Sequence, residues 1–178
     1  VNPRLRPLTT DDWPAVHAWA SRPEACRFQT WGPNSEDETR AFVADAVADA
    51  ALQPPPRLLH AIVVDGMVLG NGALIFHSRA QRQGEISYIV HPDHWGRGIA
   101  TAAGRELLRI GFEEHGLHRI HATCDPRNAG SAAVLKKLGM RYEGRMRHTQ
   151  YIRDGWRDSE LFSILEDEWL EGYRRERE

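Results

Sequence analysis

Cysteine is nearly absent from this chain. Its 178 residues contain two, Cys26 and Cys124. They are too few for a disulfide framework, and no CxxC spacing marks a redox or zinc site. Cys124 ends an apolar run, RIHATC, which predicts a buried, inert thiol rather than a nucleophile. An excess of charge is lacking as well. The formal net charge is -2, so no general attraction to nucleic acid or to an anionic membrane is expected. No apolar run reaches the ~18 residues of a membrane helix. The opening VNPRLRPLTTDDW has no signal-peptide core, so a cytoplasmic location is expected. Repeats, low-complexity tracts and internal linkers are missing, and a single domain over residues 1–178 is predicted. HExxH is absent. The nine histidines include the evenly spaced His115, His118 and His121. These straddle a predicted helix end and strand start, and no metal is expected there.

What is present reads as a mixed α+β pattern. RLRPL opens with a short strand, and Thr9 or Thr10 caps a helix carrying Trp13, Val16 and Ala20. Ser35-Glu36-Asp37-Glu38 is a capping box for a second helix, which the prolines at 54–56 end. Two apolar runs flank Asp65-Gly66, a hairpin signal, because a type I′ turn needs positive φ twice. A strand over Glu85–His91 follows, then a helix from about Arg97 to His115 stopped by Gly116, and a strand over His118–Cys124. A short helix over Asn128–Leu138 ends at Gly139. Two strands flank Asp154-Gly155, and a charged surface helix closes the chain. The order β-α-α-β-β-β-α-β-α-β-β predicts a mixed, mostly antiparallel central sheet flanked by helices rather than a regular βαβ alternation.

The strand near Glu85 runs into HPDHWGRGIATAAG. A nicotinamide fingerprint would need GxGxxG directly after the strand. Here Thr101 stands where the third Gly belongs, and HPDHW separates strand from glycines. The phosphate-loop pattern GxxxxGKS/T is absent. An anion site remains open. Gly96 and Gly98 allow close backbone approach. Helix-entry N–H groups lack partners and face the positive end of the helix dipole. A plain strand-to-helix turn fits the spacing equally well.

A second stretch, DPRNAGSAAVLKKLGM at 125–140, decides between them. With HPDHWGRGIATAA some 30 residues earlier, it resembles the GNAT N-acetyltransferase superfamily. Gly98 and Ala100 fill the small positions of that family's acetyl-CoA loop, Gln/Arg-x-x-Gly-x-Gly/Ala. Trp95 stands where Gln or Arg is commoner. The Trp-Gly pair, NAGSAAVLKKLGM, RYEGRMR and WRDSELFSILEDEW are similar to the ribosomal-protein N-terminal acetyltransferase branch. The resemblance spans essentially the whole chain.

It implies a GNAT fold whose strands near Tyr88 and Ala122 splay apart to admit acetyl-CoA. Backbone groups of Tyr88, Ile89 and Val90 would pair with the pantetheine arm. Amides of Gly96, Arg97, Gly98, Ile99, Ala100 and Thr101 would hold the pyrophosphate. Asn128, which also suits a helix N-cap, would hydrogen-bond the pantetheine, and Ser131 would sit near the sulfur.

Acetyl transfer needs a neutral amine, donors for the oxyanion and a stabilised leaving thiolate. Glu85 is the expected base and Ser131 the expected donor to sulfur. The acid and the Tyr that many members carry five before and seven after the motif Asn are replaced by Thr123 and Leu135. In the penultimate strand, Gln150 occupies the place of an acid found in some members, and Tyr151 lies beside it. So modest a machinery suits an α-amine, with a pKa of about 7.7–8.0, better than a lysine near 10.4. The expected acceptor is therefore a protein or peptide N-terminus. A small-molecule amine (aminoglycoside, polyamine or other antibiotic) is the alternative, and a non-catalytic acyl-CoA-binding module is the other. A homodimer is a further expectation.

Overall fold

The computed structural model describes residues 2–153 and 155–175. The strands are β1 (Arg4–Pro7), β2 (Arg57–Val64), β3 (Met67–Ser78), β4 (Gln83–Val90), β5 (Arg119–Cys124), β6 (Arg141–Ile152) and β7 (Gly155–Leu165). They form one seven-stranded sheet in the order β1-β2-β3-β4-β5-β7-β6. Every pairing is antiparallel except β4 with β5. The helices are α1 (Trp13–Ala20), α2 (Pro23–Cys26), α3 (Glu36–Ala51), α4 (Ile99–Arg109), α5 (Ala129–Lys137) and α6 (Glu166–Arg175). The mixed, mostly antiparallel sheet read from the sequence is the sheet observed.

Apolar alternation along the strands sends side chains to two faces. On one, Leu59, Ala61 and Ala73 meet Val16, Trp19, Val43 and Ala46 of α1 and α3. On the other, Leu74, Ile86 and Ile120 meet Leu107 and Leu108 of α4. Strand β4 is read by both. Ile86 and Tyr88 join the α4 side, while Ile89 packs on the α1/α3 side. Glu85 shares the parity of Ile89, so it belongs to the α1/α3 face.

Local chemistry accounts for the boundaries. Asp65 and Gly66 have φ of 49° and 80°, as the type I′ hairpin requires. Ser35 accepts from the Glu38 amide, and Glu38 accepts in return from the Ser35 amide. The helix expected from Arg97 starts at Ile99, because Gly98 is left-handed at φ 78°. Its last turn, Ile110–Glu114, widens to π geometry. The four-residue α2 was not foreseen, since so short a segment carries no periodicity. Asp154 of the second hairpin signal lies outside the described residues.

A buried carboxylate ties the first strand to α1. Asp12 takes paired bonds from Arg6 at 2.7 Å each, one from the Thr9 amide at 2.8 Å and one from the Thr9 hydroxyl at 3.0 Å. The Arg6 guanidinium holds its pKa below the ordinary value, against the opposing effect of burial. A lowered folded pKa contributes stability above the unfolded value, and that contribution is lost as pH falls through it. Asp12→Asn is expected to cost about 1–3 kcal/mol at neutral pH, since it leaves Arg6 poorly matched. The difference from the unmodified protein should shrink below about pH 4. Thermal melts of both proteins across pH 3–7 check this, and a pH-independent gap would refute the ion-pair account.

Candidate active site

The site begins where β4 and β5 part company. They pair through Gln83–Arg119, Gly84–Ile120 and Glu85–His121. Beyond Glu85, β4 keeps its partner β3 as far as Val90, and β5 stays with β7 as far as Cys124. The edges of residues 86–90 and 122–124 therefore face one another across a gap, with backbone groups that need partners. This is the splay expected near Tyr88 and Ala122.

At the open end of the gap, β4 runs into a single 3₁₀ turn, Pro92–His94, and then into α4. Gly96 and Gly98 have φ of 75° and 78°, and a Cβ built on either would meet no protein atom within 4 Å. Crowding by the protein therefore does not explain these glycines. Positive φ and clear space are what a backbone cradle for a ligand needs. The first intrahelical bond runs from the Ala102 amide to the Gly98 carbonyl at 3.0 Å. The amides of Ile99, Ala100 and Thr101 precede it and remain available at the positive end of the helix dipole. Arg97 is exposed beside them. Trp95 swings back, and its indole N–H donates to the Val90 carbonyl at 2.7 Å. One of the three β4 residues expected to pair with a ligand arm thus already has its carbonyl engaged.

Across the gap, Asn128 caps α5, its Oδ1 accepting from the Ser131 amide at 3.1 Å. Its amide NH₂ is left as a donor. Ser131 lies 3.2 Å from the Tyr88 phenol oxygen, which also reaches the Ser131 carbonyl at 3.4 Å. Burial pushes the Tyr88 pKa up to about 12, only partly offset by the Ser131 bond. The Tyr88 phenol escaped the sequence reading, which used this residue for its backbone alone. The signal was present. Alternation along β4 puts Tyr88 on the face of Ile86, toward α5. Burial likewise raises the Cys124 thiol to about 11, so it stays protonated and is a poor nucleophile.

Glu85 lies on the opposite face, at the closed end of the gap. Its Oε2 is 2.7 Å from His77 Nε2 and 3.4 Å from His121 Nε2. Burial raises its pKa, but the hydrogen bonds with His121 and His77 prevail and leave it below the ordinary carboxylate value. Glu85 is therefore ionised at neutral pH and can accept a proton. The evenly spaced histidines separate. His115 packs on Phe76, with ring centroids 5.0 Å apart, His118 faces Glu166 at 3.5 Å, and His121 alone turns to Glu85.

On the Glu85 side, an open groove of about 640 Å³ runs between α2 and the β6–β7 hairpin. Among the described residues four arginines line it (Arg27, Arg127, Arg153, Arg157), with Glu24 the one acid in the lining, and Arg127 is paired with the buried Asp125 behind it at 2.7 Å. Arg22 holds Glu24 at 2.9 Å. Arg153 donates to the Gly32 carbonyl at 2.8 Å and also to that of Cys26, which fixes its position without cancelling its charge. Arg127 directly precedes Asn128, so groove and gap adjoin. No sequence periodicity marks this groove, because its walls come from segments more than 100 residues apart.

Comparison with known proteins identifies the family and the fold. The profile of the acetyltransferase (GNAT) domain matches residues 4–141. The chain is 32% identical to the uncharacterized N-acetyltransferase YnaD of Bacillus subtilis, covering 93% of this chain and 94% of that one. It is 25% identical to the spermidine N(1)-acetyltransferase of Escherichia coli, over 94% and 88% of the two chains. The structure of Mycobacterium smegmatis RimJ in complex with CoA-disulfide superposes with a TM-score of 0.82 at 29% identity, covering 92% and 82%.

Gly98→Ala tests the cradle. Its Cβ meets nothing, so the protein should fold with only the roughly 1 kcal/mol cost of a positive φ. Calorimetric titration with CoA, the ligand that the resemblance implies, should show at least about fivefold weaker binding, a loss of about 1 kcal/mol. Unchanged affinity would remove this loop from the site.

Proposed function

Because the chain belongs to the GNAT acetyltransferase family, we propose that this N-acetyltransferase moves the acetyl group of acetyl-CoA to the N-terminal α-amine of a protein or peptide whose first residues are acidic. The arginine-lined groove carries this reading. Through Arg27, which stacks on Phe28, and Arg153, which is held by backbone carbonyls, the groove keeps positive charge, and this suits an acceptor with carboxylates near its amine. It repels a polyamine, with each badly placed surface charge worth up to about 1 kcal/mol.

The donor is held as an added strand along β4, with its pyrophosphate at Gly96–Thr101 and its pantetheine near Asn128. Gly96 and Gly98 fit that ligand because the space beside them is open. The base and the sulfur-side donors lie on opposite faces of the sheet, with the gap between them, as direct attack of an amine on a thioester requires. The amine arrives from the Glu85 side. Nitrogen attacks the thioester carbon, and the N–H of Val90 meets the oxyanion from the free edge of β4, since Ile89 and His91 turn their backbone groups to β3. Glu85 takes the ammonium proton, directly or through a water. The carbon–sulfur bond then breaks. A phenol near 12 does not surrender its proton to a thiolate whose acid lies near 8.5. Tyr88 and Ser131 therefore stabilise the leaving sulfur by hydrogen bonding.

The pH dependence follows. With its pKa lowered, Glu85 stays ionised from about pH 6 to 9, so the rise of kcat/KM belongs to the acceptor amine, with a midpoint near 7.7–8.0 for an α-amine. Glu85→Gln should lower kcat by about 100-fold without moving that midpoint. A midpoint that shifts with the substitution would assign the titration to Glu85 and contradict the account.

The acceptor is tested with acidic, neutral and basic N-terminal peptides alongside spermidine, following release of free thiol. Arg27→Glu should raise KM for the acidic peptide about tenfold, or about 1.4 kcal/mol, with KM for acetyl-CoA within about twofold. If KM for acetyl-CoA rises instead, the groove serves the donor's phosphates. Turnover confined to spermidine would end the N-terminal reading.

A further inference from the structure

Three neighbouring strands bring His77, Glu85 and His121 together outside the donor site. Glu85 and His121 are direct partners in the parallel register. His77 sits in the irregularity where Phe76 opposes Gly84 but Ser78 opposes Gln83, leaving it unpaired as a bulge residue. Bulges re-aim side chains, and this one turns the His77 ring beside that of His121, with centroids 5.0 Å apart and planes tilted by 35°. Both Nε2 atoms converge on the same carboxylate oxygen, Glu85 Oε2, at 2.7 and 3.4 Å. All three candidate ligand atoms lie within 4.8 Å of one another.

We propose that His77, Glu85 and His121 form a binding site for a zinc-class divalent transition ion. Tetrahedral zinc, with bonds of about 2.0–2.1 Å, sets its ligand atoms roughly 3.3 Å apart. The two separations from Glu85 Oε2 bracket that value, and the two ring nitrogens, within 4.8 Å of each other, would close on the ion by rotation of the rings. Two imidazole nitrogens and one carboxylate oxygen select zinc, cobalt or nickel over magnesium and calcium, which take oxygen sets. Three protein ligands leave a fourth position for water on the solvent side, where His77 is exposed. Arg119, two residues before His121 on β5, is bound to Glu143 at 2.6 and 2.9 Å, so its charge is neutralised and does not repel a cation. The site stands on this geometry alone and does not rest on the acetyl-transfer reading. Should Glu85 also be the base, the metal would occupy the oxygen that accepts the proton, and zinc would inhibit turnover.

The test uses the whole chain after treatment with a chelator. Titration with CoCl₂ should give visible d–d bands of a tetrahedral ion that saturate at one equivalent, and ZnCl₂ should abolish them. His77→Ala and His121→Ala should each weaken cobalt binding more than about tenfold, the loss that an outer-shell partner alone can produce. His115→Ala/His118→Ala should bind as the unmodified protein does. Circular dichroism confirms that each variant is folded. No band at about 1 mM cobalt, weaker than any specific transition-metal site, would overturn the proposal. So would binding unaffected by the His77→Ala/His121→Ala double variant. Acetyl transfer without metal binding sinks this inference alone. Metal binding in a protein inactive on every amine sinks only the functional reading.

Discussion

The three residue pairs that join β4 to β5, and the abrupt end of that pairing after Glu85 and His121, are the constraint on which the rest of the structure depends. A parallel pair that continued would satisfy both backbones and leave no site. Each strand is instead held by its other neighbour, β3 or β7. The free edges are thus kept apart by a sheet that is rigid on either side. An edge strand normally invites association, and here the short pairing leaves a gap with free backbone groups inside the sheet. The Gly96–Gly98 loop, the α5 cap and the Glu85 cluster are arranged around this gap, at its open end, one side and its closed end.

The two faces then divide the chemistry. The α4 side is packed by Leu107, Leu108, Ile86 and Ile120, and in that apolar setting Tyr88 keeps its proton and points to Ser131. The α1/α3 side is covered over β1–β3 but open beyond β4, where Glu85, His121 and Arg119 line up in a charged row. Desolvation alone would have raised the pKa of Glu85. Two histidines reverse that and keep it ionised. Burial thus raises the phenol on one face, while hydrogen bonding lowers the carboxylate on the other, a separation suited to a site that must both receive a proton and steady a leaving anion.

Much of this was legible in the sequence where local chemistry sets the outcome. Asp65-Gly66 specified its hairpin through positive φ, and Ser35 and Glu38 specified a helix start, whereas α4, expected from Arg97, begins at Ile99 because Gly98 is left-handed. The strand pattern and the two family-like stretches anticipated the splayed pair. What escaped was set by tertiary contact. Four residues of α2 carry no period, and the π turn at Ile110–Glu114 has no sequence mark. His77 was not considered because its partners lie on two other strands and its orientation depends on a bulge. The even spacing of His115, His118 and His121 pointed to a set that the fold disperses. The arginine groove brings together Arg27 and Arg153, linear positions that no motif connects.

On the proposed reading, donor and acceptor are recognised by different parts of the chain, and this bears on how such folds diverge. The loop at Gly96–Thr101 and the free edge of β4 offer backbone groups to the donor. Their demands on sequence reduce to positive φ, small size and a helix start. Such demands leave most of the sequence free, and the fold itself is kept at low identity, with a TM-score of 0.82 at 29% identity. The groove proposed for the acceptor is walled by side chains on α2, the β5–α5 turn and the β6–β7 hairpin, surface segments whose charges can change without disturbing the core. On that reading a change of charge in the groove alters the acceptor while the donor loop and the fold stay as they are.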